Sequence, residues 1–343
     1  MTDVTALPSL RVGLIGCGRI GLDAHLPAYE AAGIQVSGVC DSEPERAALA
    51  AQRFNCGKVF GSYQELAESP EVDLIDVATR PSDRYDLVAA LLAYGKPLLV
   101  QKPLSYDLAT ATDLCMRIAA SGVPVAVNHN ARWMPVQEKL HGWLSAGLLG
   151  SLYAVHHINR FDEDISAWYT DHQDYMFLDH GLHYIDLLRW QTGRQPEAVA
   201  AVSVKRPGQL AKCPLSYAIM FRYRNEEAPL QASLVFNNAV GPASAYECGW
   251  YFDGALGTAK LTLDTITHIP HDGTRTTTDV LAGGWIPDGF VGAYREFVRA
   301  VAENKPAPHS AQDHLLTLAA ASAAAKSARD GGSWQLIEVP IRA

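Results

Sequence analysis

The 343-residue sequence predicts a parallel-sheet α/β domain followed by an α+β domain with a large open, mostly antiparallel sheet. Three observations predict it. Short apolar runs alternate with helical patterns through the first third, the arrangement of βαβ units with helices on both faces of a sheet. Near Gly147–Gly150 the texture changes to long β-rich segments with few helices between them. The chain is also long enough for two cores, because single cores seldom grow past roughly 250–300 residues.

The first strands are expected at Leu10–Ile15, Ile34–Cys40, Asp73–Ala78, Pro97–Gln101 and Val123–Asn128, continuous apolar runs of the kind buried on both faces. Amphipathic stretches at Glu43–Phe54, Ser82–Tyr94 and Tyr106–Ser121 supply crossover helices, and Asn128–Pro135 leads towards another. From Leu152 the expected strands are Leu152–Arg160, Ala198–Lys205, Ser216–Tyr223, Gln231–Phe236, Ala245–Phe252 and Ala259–Thr265. A helix at about Leu178–Gln191 interrupts them, and helices at Val291–Glu303 and Ala311–Arg329 flank the link Lys305–Pro308. The division is expected at 1–130 and 131–343, with the last helix able to pack back on the first domain.

The formal net charge of −9 argues against nucleic-acid binding, which needs clustered Lys and Arg. Met1–Leu10 lacks the basic stretch and apolar core of a secretory signal, and no apolar run reaches the ~18 residues of a membrane span. The six cysteines include no C-x-x-C pair, the pattern of reduced thiols in a cytoplasmic protein. His156, His157, His268 and His271 have the wrong spacing for one site and no carboxylate cluster beside them, so no metal is expected.

Gly16-Cys17-Gly18-Arg19-Ile20-Gly21 follows the first strand with G-x-G-x-x-G spacing. The first glycine permits a tight turn, the second lets a pyrophosphate approach the backbone, and the third lets helix and strand pack closely. Phosphates then meet free N–H groups at a helix N-terminus. Asp41 ends the second strand 20 positions after Gly21 (41 minus 21), the separation of a ribose-binding acid. A carboxylate there hydrogen-bonds ribose hydroxyls and repels a 2′-phosphate, so NAD is favoured over NADP. Arg46 opposes that preference, and Glu43 and Glu45 beside it restore it.

Two further segments matter: Gln101-Lys102-Pro103, and the D-x-G-x-H-x-x-D run containing Asp179, His183 and Asp186. With the glycine fingerprint and the strand end Asp76–Arg80, they resemble the Gfo/Idh/MocA oxidoreductases, of the glucose–fructose oxidoreductase and inositol dehydrogenase type. The resemblance runs through nearly the whole chain. It implies an NAD-dependent dehydrogenase acting on a sugar, polyol or related cyclic alcohol, with Lys102, Asp179 and His183 as the catalytic group. It also implies cofactor contacts from Gly16, Gly18, Arg19, Ile20, Gly21, Asp41, Ser42, Ala78, Thr79, Arg80, Gln101 and Lys102.

The residue types suit that chemistry. A lysine at the carboxyl edge of the sheet stabilises a developing alkoxide, and a histidine, titrating near ~6.5, accepts a hydroxyl proton as hydride leaves carbon. Asp179, four residues before His183, holds the imidazole or contacts the substrate hydroxyl.

Lys102, Asp179 and His183 also belong to the implied substrate contacts, with Asn128, Arg132, Trp168 and Tyr169. Arg132 fits a substrate contact or a structural ion pair, and the two rings fit a sugar face or packing of the interior. The chain departs from the family pattern in three places. Gln101 stands for the usual Glu, removing a counter-charge from Lys102; Arg80-Pro81 replaces Pro-Asn; and Arg84 replaces a His. Two alternatives remain: glycosidic cleavage through transient oxidation, and a non-catalytic nucleotide or sugar sensor. An open sheet face needs cover, so a homodimer or homotetramer through the C-terminal sheet is expected.

Overall fold

A computed structural model describes residues 8–224 and 229–340. They fall into two units, the first comprising the described residues to Met134, with Gly283–Leu315 and Pro340, and the second Pro135–Ala282 with Leu316–Val339.

In the first unit, β1 (Val12–Ile15) leads through a wide π-helical turn, Gly21–His25, into α1 (Leu26–Ala31). There follow β2 (Val36–Cys40), α2 (Pro44–Phe54), β3 (Lys58–Val59) and α3 (Tyr63–Glu68). Then come β4 (Leu74–Val77), α4 (Pro81–Leu91), β5 (Leu98–Gln101), α5 (Leu108–Ser121) and β6 (Val125–Asn128). The strands pair in parallel in the order β3-β2-β1-β4-β5-β6, the doubly wound order whose reversal point lies between β1 and β4. Every residue of β1, β4, β5 and β6 is buried, as the apolar runs require. α2 opens on proline and closes at Asn55 with φ 48°, and α5 is capped by Asp107, which accepts the Thr110 N–H at 2.7 Å.

In the second unit α6 (Pro135–Ser145) precedes β7 (Leu152–Arg160), and a second π-helical turn, Met176–His180, runs into α7 (Gly181–Thr192). The remaining strands are β8 (Ala198–Val204), β9 (Ser216–Arg222), β10 (Gln231–Asn237), β11 (Glu247–Gly254), β12 (Gly257–Leu261), β13 (Thr265–Pro270) and β14 (Thr277–Val280). With β15 (Gln335–Leu336) they form one sheet in the order β14-β13-β12-β11-β7-β10-β9-β8-β15. Among the described residues of this sheet, only the β10–β7 pairing is parallel. One face buries His157, Tyr217, Ile219, Leu234, Phe236, Trp250 and Phe252, and Tyr184 of α7 lies on it against the rings of His157 and Phe236.

Several expectations are corrected. β3 and α3 were not foreseen, and the expected strand Ala259–Thr265 is two strands joined by a turn. There the Thr262 N–H donates to the Thr265 carbonyl at 2.9 Å and its hydroxyl to Asp264 at 3.0 Å. The expected domain division also moves. α8 (Phe290–Ala302) and the segment after it belong to the first unit, where Phe297 joins the core with Val12, Leu99 and Ala126. The Val127 N–H donates to the His309 carbonyl at 2.8 Å, and the Tyr294 hydroxyl to the Leu10 carbonyl at 3.0 Å. The boundary then runs through α9 (Ala311–Arg329), between Leu315 and Leu316.

Candidate active site

β1 ends in the Gly16–Gly21 turn, and its three glycines have three physical causes. Gly16 has φ +101°, and a Cβ there would stand 2.8 Å from the Ala78 carbonyl carbon and 2.9 Å from the Thr79 nitrogen. On Gly21 a Cβ would stand 2.5 Å from the Gly16 carbonyl oxygen. On Gly18 it would meet no heavy atom within 4 Å. Packing thus explains the first and third glycines but not the second, and open room above the backbone is what an approaching pyrophosphate requires.

Asp41 lies beside this turn. Its Oδ2 accepts the Cys17 N–H at 2.7 Å and its Oδ1 the Glu43 N–H at 2.8 Å. Arg46 turns to Glu43 at 2.9 Å. The Cys17 thiol is no nucleophile, since burial, with Asp41 nearby, pushes it up to about 12.

Ala78 and Thr79 follow β4, and the Thr79 hydroxyl oxygen is buried without a hydrogen-bond partner. Arg80 and Ser42 are exposed, as is Arg19, while Ile20 is half-buried. Gln101 ends β5 opposite Asn128 of β6, whose buried Oδ1 also lacks a partner. The Lys102–Pro103 peptide is cis. Arg84, where the family pattern has His, is buried and donates to the Thr79 and Pro103 carbonyls, tying the β4 and β5 ends together.

Among the expected substrate contacts Arg132 is the most deeply enclosed of the charged ones. It is 2% exposed, pairs with Asp313 and donates to the Pro308 carbonyl at 2.8 Å. A guanidinium so enclosed ties the loop after β6 to the start of α9, as a structural ion pair would.

In the second unit the wide turn before α7 explains the glycine of the D-x-G-x-H run. A Cβ on Gly181 would stand 2.6 Å from the Met176 carbonyl oxygen and 3.2 Å from the Tyr217 hydroxyl. Asp179 lies in that turn and His183 in the first turn of α7, both half-buried. His180 between them, missed by sequence reading, faces the sheet. Its Nδ1 is 2.8 Å from the Tyr217 hydroxyl, and its Nε2 accepts from Asn238 at 3.0 Å. The last acid of the run, Asp186, is fully buried and accepts from Thr317 at 3.1 Å, to which Arg189 donates at 2.6 Å. It fastens α7 to α9.

Trp168 and Tyr169 part company. Tyr169 packs on Tyr175 at 5.1 Å between centroids, whereas Trp168 is 49% exposed and meets Tyr169 edge-on. Among the described residues no group of three or more His, Cys, Asp or Glu is placed to hold a metal ion. The metal-question histidines are engaged separately, His156 with Ser233, His157 with the Gly249 carbonyl and His271 with Thr258.

A parallel sheet in this order, with a glycine turn where its strand order reverses and a carboxylate at the end of the neighbouring strand, defines a dinucleotide-binding Rossmann protein. Residues 10–129 match the model described as the oxidoreductase family with an NAD-binding Rossmann fold, and residues 138–265 match the Gfo/Idh/MocA C-terminal domain. The chain belongs to the Gfo/Idh/MocA family and is an NAD-binding oxidoreductase.

It is 26% identical to a D-apiose dehydrogenase of Paraburkholderia graminis, over 97% of this chain and 91% of that one. It is 31% identical to an inositol 2-dehydrogenase of Acidothermus cellulolyticus, over 58% of each chain. Among solved structures it shares its fold with an oxidoreductase from Agrobacterium radiobacter in complex with NAD+, L-tartaric acid and magnesium. That match has a TM-score of 0.85 at 20% identity, covering 96% of this chain and 99% of that one. A levoglucosan dehydrogenase in complex with NADH and levoglucosan gives 0.82 at 21% identity, covering 96% and 99%.

Proposed function

We propose that the protein is an NAD-dependent dehydrogenase of a sugar, polyol or related cyclic alcohol, and that Lys102, Asp179 and His183 are its catalytic group. The observation that carries this reading is Lys102 itself, at the carboxyl end of β5 beside the loops that follow β1 and β4. Open α/β sheets bind ligands at that edge. The substrate class is supported by relatives named for apiose and inositol oxidation.

Bound NAD supplies the hydride acceptor. Asp41 orients its ribose, with NADP disfavoured by the same carboxylate. The Lys102 ammonium stabilises negative charge growing on the substrate oxygen, and His183 takes the hydroxyl proton. Asp179 holds His183 or the hydroxyl in line. Thr79 and Asn128 each offer a buried, unpartnered oxygen to ligand donors.

The open face of the second-unit sheet carries Val202, Met220 and Val235 at 54%, 48% and 44% exposure. Registers Val202↔Ala218, Ala218↔Val235 and Met220↔Ala200 make one apolar band of them. Cover by a second copy, giving a homodimer or homotetramer, follows from the cost of leaving such a band in water. No described helix is long and apolar enough to cross a membrane, and the six free cysteines suit a reducing cytoplasm.

The test is an absorbance scan at the reduced-nicotinamide band with NAD and a panel of sugars and polyols. Net reduction with a panel member is expected. NAD retained through purification with no net reduction by any member contradicts the simple dehydrogenase and supports cleavage through transient oxidation.

A further inference from the structure

Behind Lys102 the first unit buries a line of polar side chains whose polarity is set from one end. The Lys102 backbone N–H donates to Gln101 Oε1 at 2.7 Å. A backbone N–H is only a donor, so it fixes the amide and leaves Gln101 Nε2, also a donor, 3.3 Å from His25 Nε2. His25 Nε2 must then accept, and the ring proton sits on Nδ1. That proton points at Asp76 Oδ2, 2.6 Å away, which also takes the Tyr29 hydroxyl at 2.5 Å. Gln101, His25 and Asp76 are all buried.

We propose that Gln101 is a positioning residue whose amide couples the buried Asp76–His25 pair, held in its Nδ1–H form, to the backbone of Lys102. The claim that Lys102 matters to turnover rests on the proposed function; the tautomer does not. An amide suits this place because it presents an acceptor to Lys102 and a donor to His25. A carboxylate accepts the Lys102 N–H equally well but shows only lone pairs to His25 Nε2. A buried contact between two acceptors is costly and calls for a proton between them, and the ring, whose Nδ1–H already faces the Asp76 carboxylate, is the group placed to carry it. The groups facing His25 are Asp76 from β4, Tyr29 from α1 and the Phe290 ring of α8 at 5.0 Å, with Tyr294 of α8 behind Tyr29 at 5.5 Å.

The opposite side of Lys102-Pro103 is held in the same way. The Leu104 N–H donates to His314 Nε2 at 3.2 Å, and His314 Nδ1 is 2.8 Å from His129 Nε2. The Arg84 hold on the Pro103 carbonyl lies between the two. Lys102 thus starts from a backbone gripped before and after it.

The experiment is nitrogen-15 NMR of histidine side chains in the full chain with NAD, His25 being assigned by its loss in His25→Gln. Wild type is expected to show a proton on Nδ1 and none on Nε2 at neutral pH, and Gln101→Glu protons on both. A wild-type Nε2–H, or a Gln101→Glu spectrum unchanged at His25, overturns the coupling. In turnover, Gln101→Glu is expected to add an ionisation to the pH profile of kcat that wild type lacks. Gln101→Met, which offers Lys102 no acceptor, is expected to lose about tenfold to a hundredfold in kcat. A Met variant with wild-type kcat overturns the positioning role, and it serves equally if the Glu variant does not fold. The spectra decide the tautomer without any substrate, so an inactive wild type counts against the proposed function alone.

Discussion

Asp41 Oδ2 accepts the backbone N–H of Cys17 at 2.7 Å, which holds the acid that ends β2 against the middle of the glycine turn. Its second oxygen accepts the Glu43 N–H at 2.8 Å, so the carboxylate is fixed before any ligand arrives. Asp41→Ala should therefore weaken NAD binding by about 2 kcal/mol, roughly thirtyfold, the worth of a charge-assisted hydrogen bond. NADP binding should fall less or improve, because the charge repelling its phosphate is gone. Tryptophan fluorescence titration with both nucleotides measures this, and equal losses would undermine the ribose assignment.

The glycine turn separates folding from binding. Gly18→Ala adds a methyl group to open space, so its melting temperature should stay near wild type while NAD affinity drops. Gly21→Ala drives a Cβ to 2.5 Å from the Gly16 oxygen and should cost about 1–3 kcal/mol, a few degrees of melting temperature. Calorimetry of the two variants, each with and without NAD, distinguishes them. The same stability loss in both would contradict the division of roles.

Arg132 lies inside the first unit beside Asp313. Asp313→Ala leaves the buried Arg132 charge without its partner and should destabilise by about 3 kcal/mol, while Arg132→Met leaves only the half-buried Asp313 and should cost less. Denaturant unfolding checks it. A normal midpoint for Arg132→Met combined with weakened substrate binding would return Arg132 to the substrate side.

The first domain was legible because its strands are buried on both faces and read as unbroken apolar runs, and because a glycine turn leaves a spacing signature. The short β3 and α3 carry neither signal: Lys58 and Val59 are both exposed. The segment from Gly283 to Leu315 misled because α8 is amphipathic in any context, and nothing local says that Phe297 packs against β1 and β5. Arg132 and Asp313 are 181 positions apart, so their pairing is invisible to spacing. Likewise Gly181 reads as part of a motif, but the wide turn that requires it exists only in three dimensions.

His157 gives a pH dependence with a definite sign. Burial pushes its imidazole down to about 3, helped by nearby His180 and opposed by its hydrogen bond to the Gly249 carbonyl. The unfolded ring takes a proton near the ordinary 6.5 and the folded one does not, so the unfolded state binds more protons between the two values. Stability contributed here is full above 6.5 and drains away as pH falls towards 3, by up to about 1.4 kcal/mol per pH unit. His157→Phe should flatten that part of a denaturation series. An unchanged slope would contradict the assignment.

Lys102→Ala and His183→Ala should each lower kcat by about a hundredfold to ten-thousandfold while NAD still binds. The most direct measurement follows the hydride itself. A panel polyol deuterated at its carbinol carbon is incubated with wild-type enzyme and NAD, and the reduced nucleotide is analysed by mass spectrometry and NMR. The account predicts one deuterium on the nicotinamide ring in wild type and almost no reduced nucleotide in the two variants. Reduced nucleotide without label, or label transfer undiminished in His183→Ala and Lys102→Ala, would contradict it.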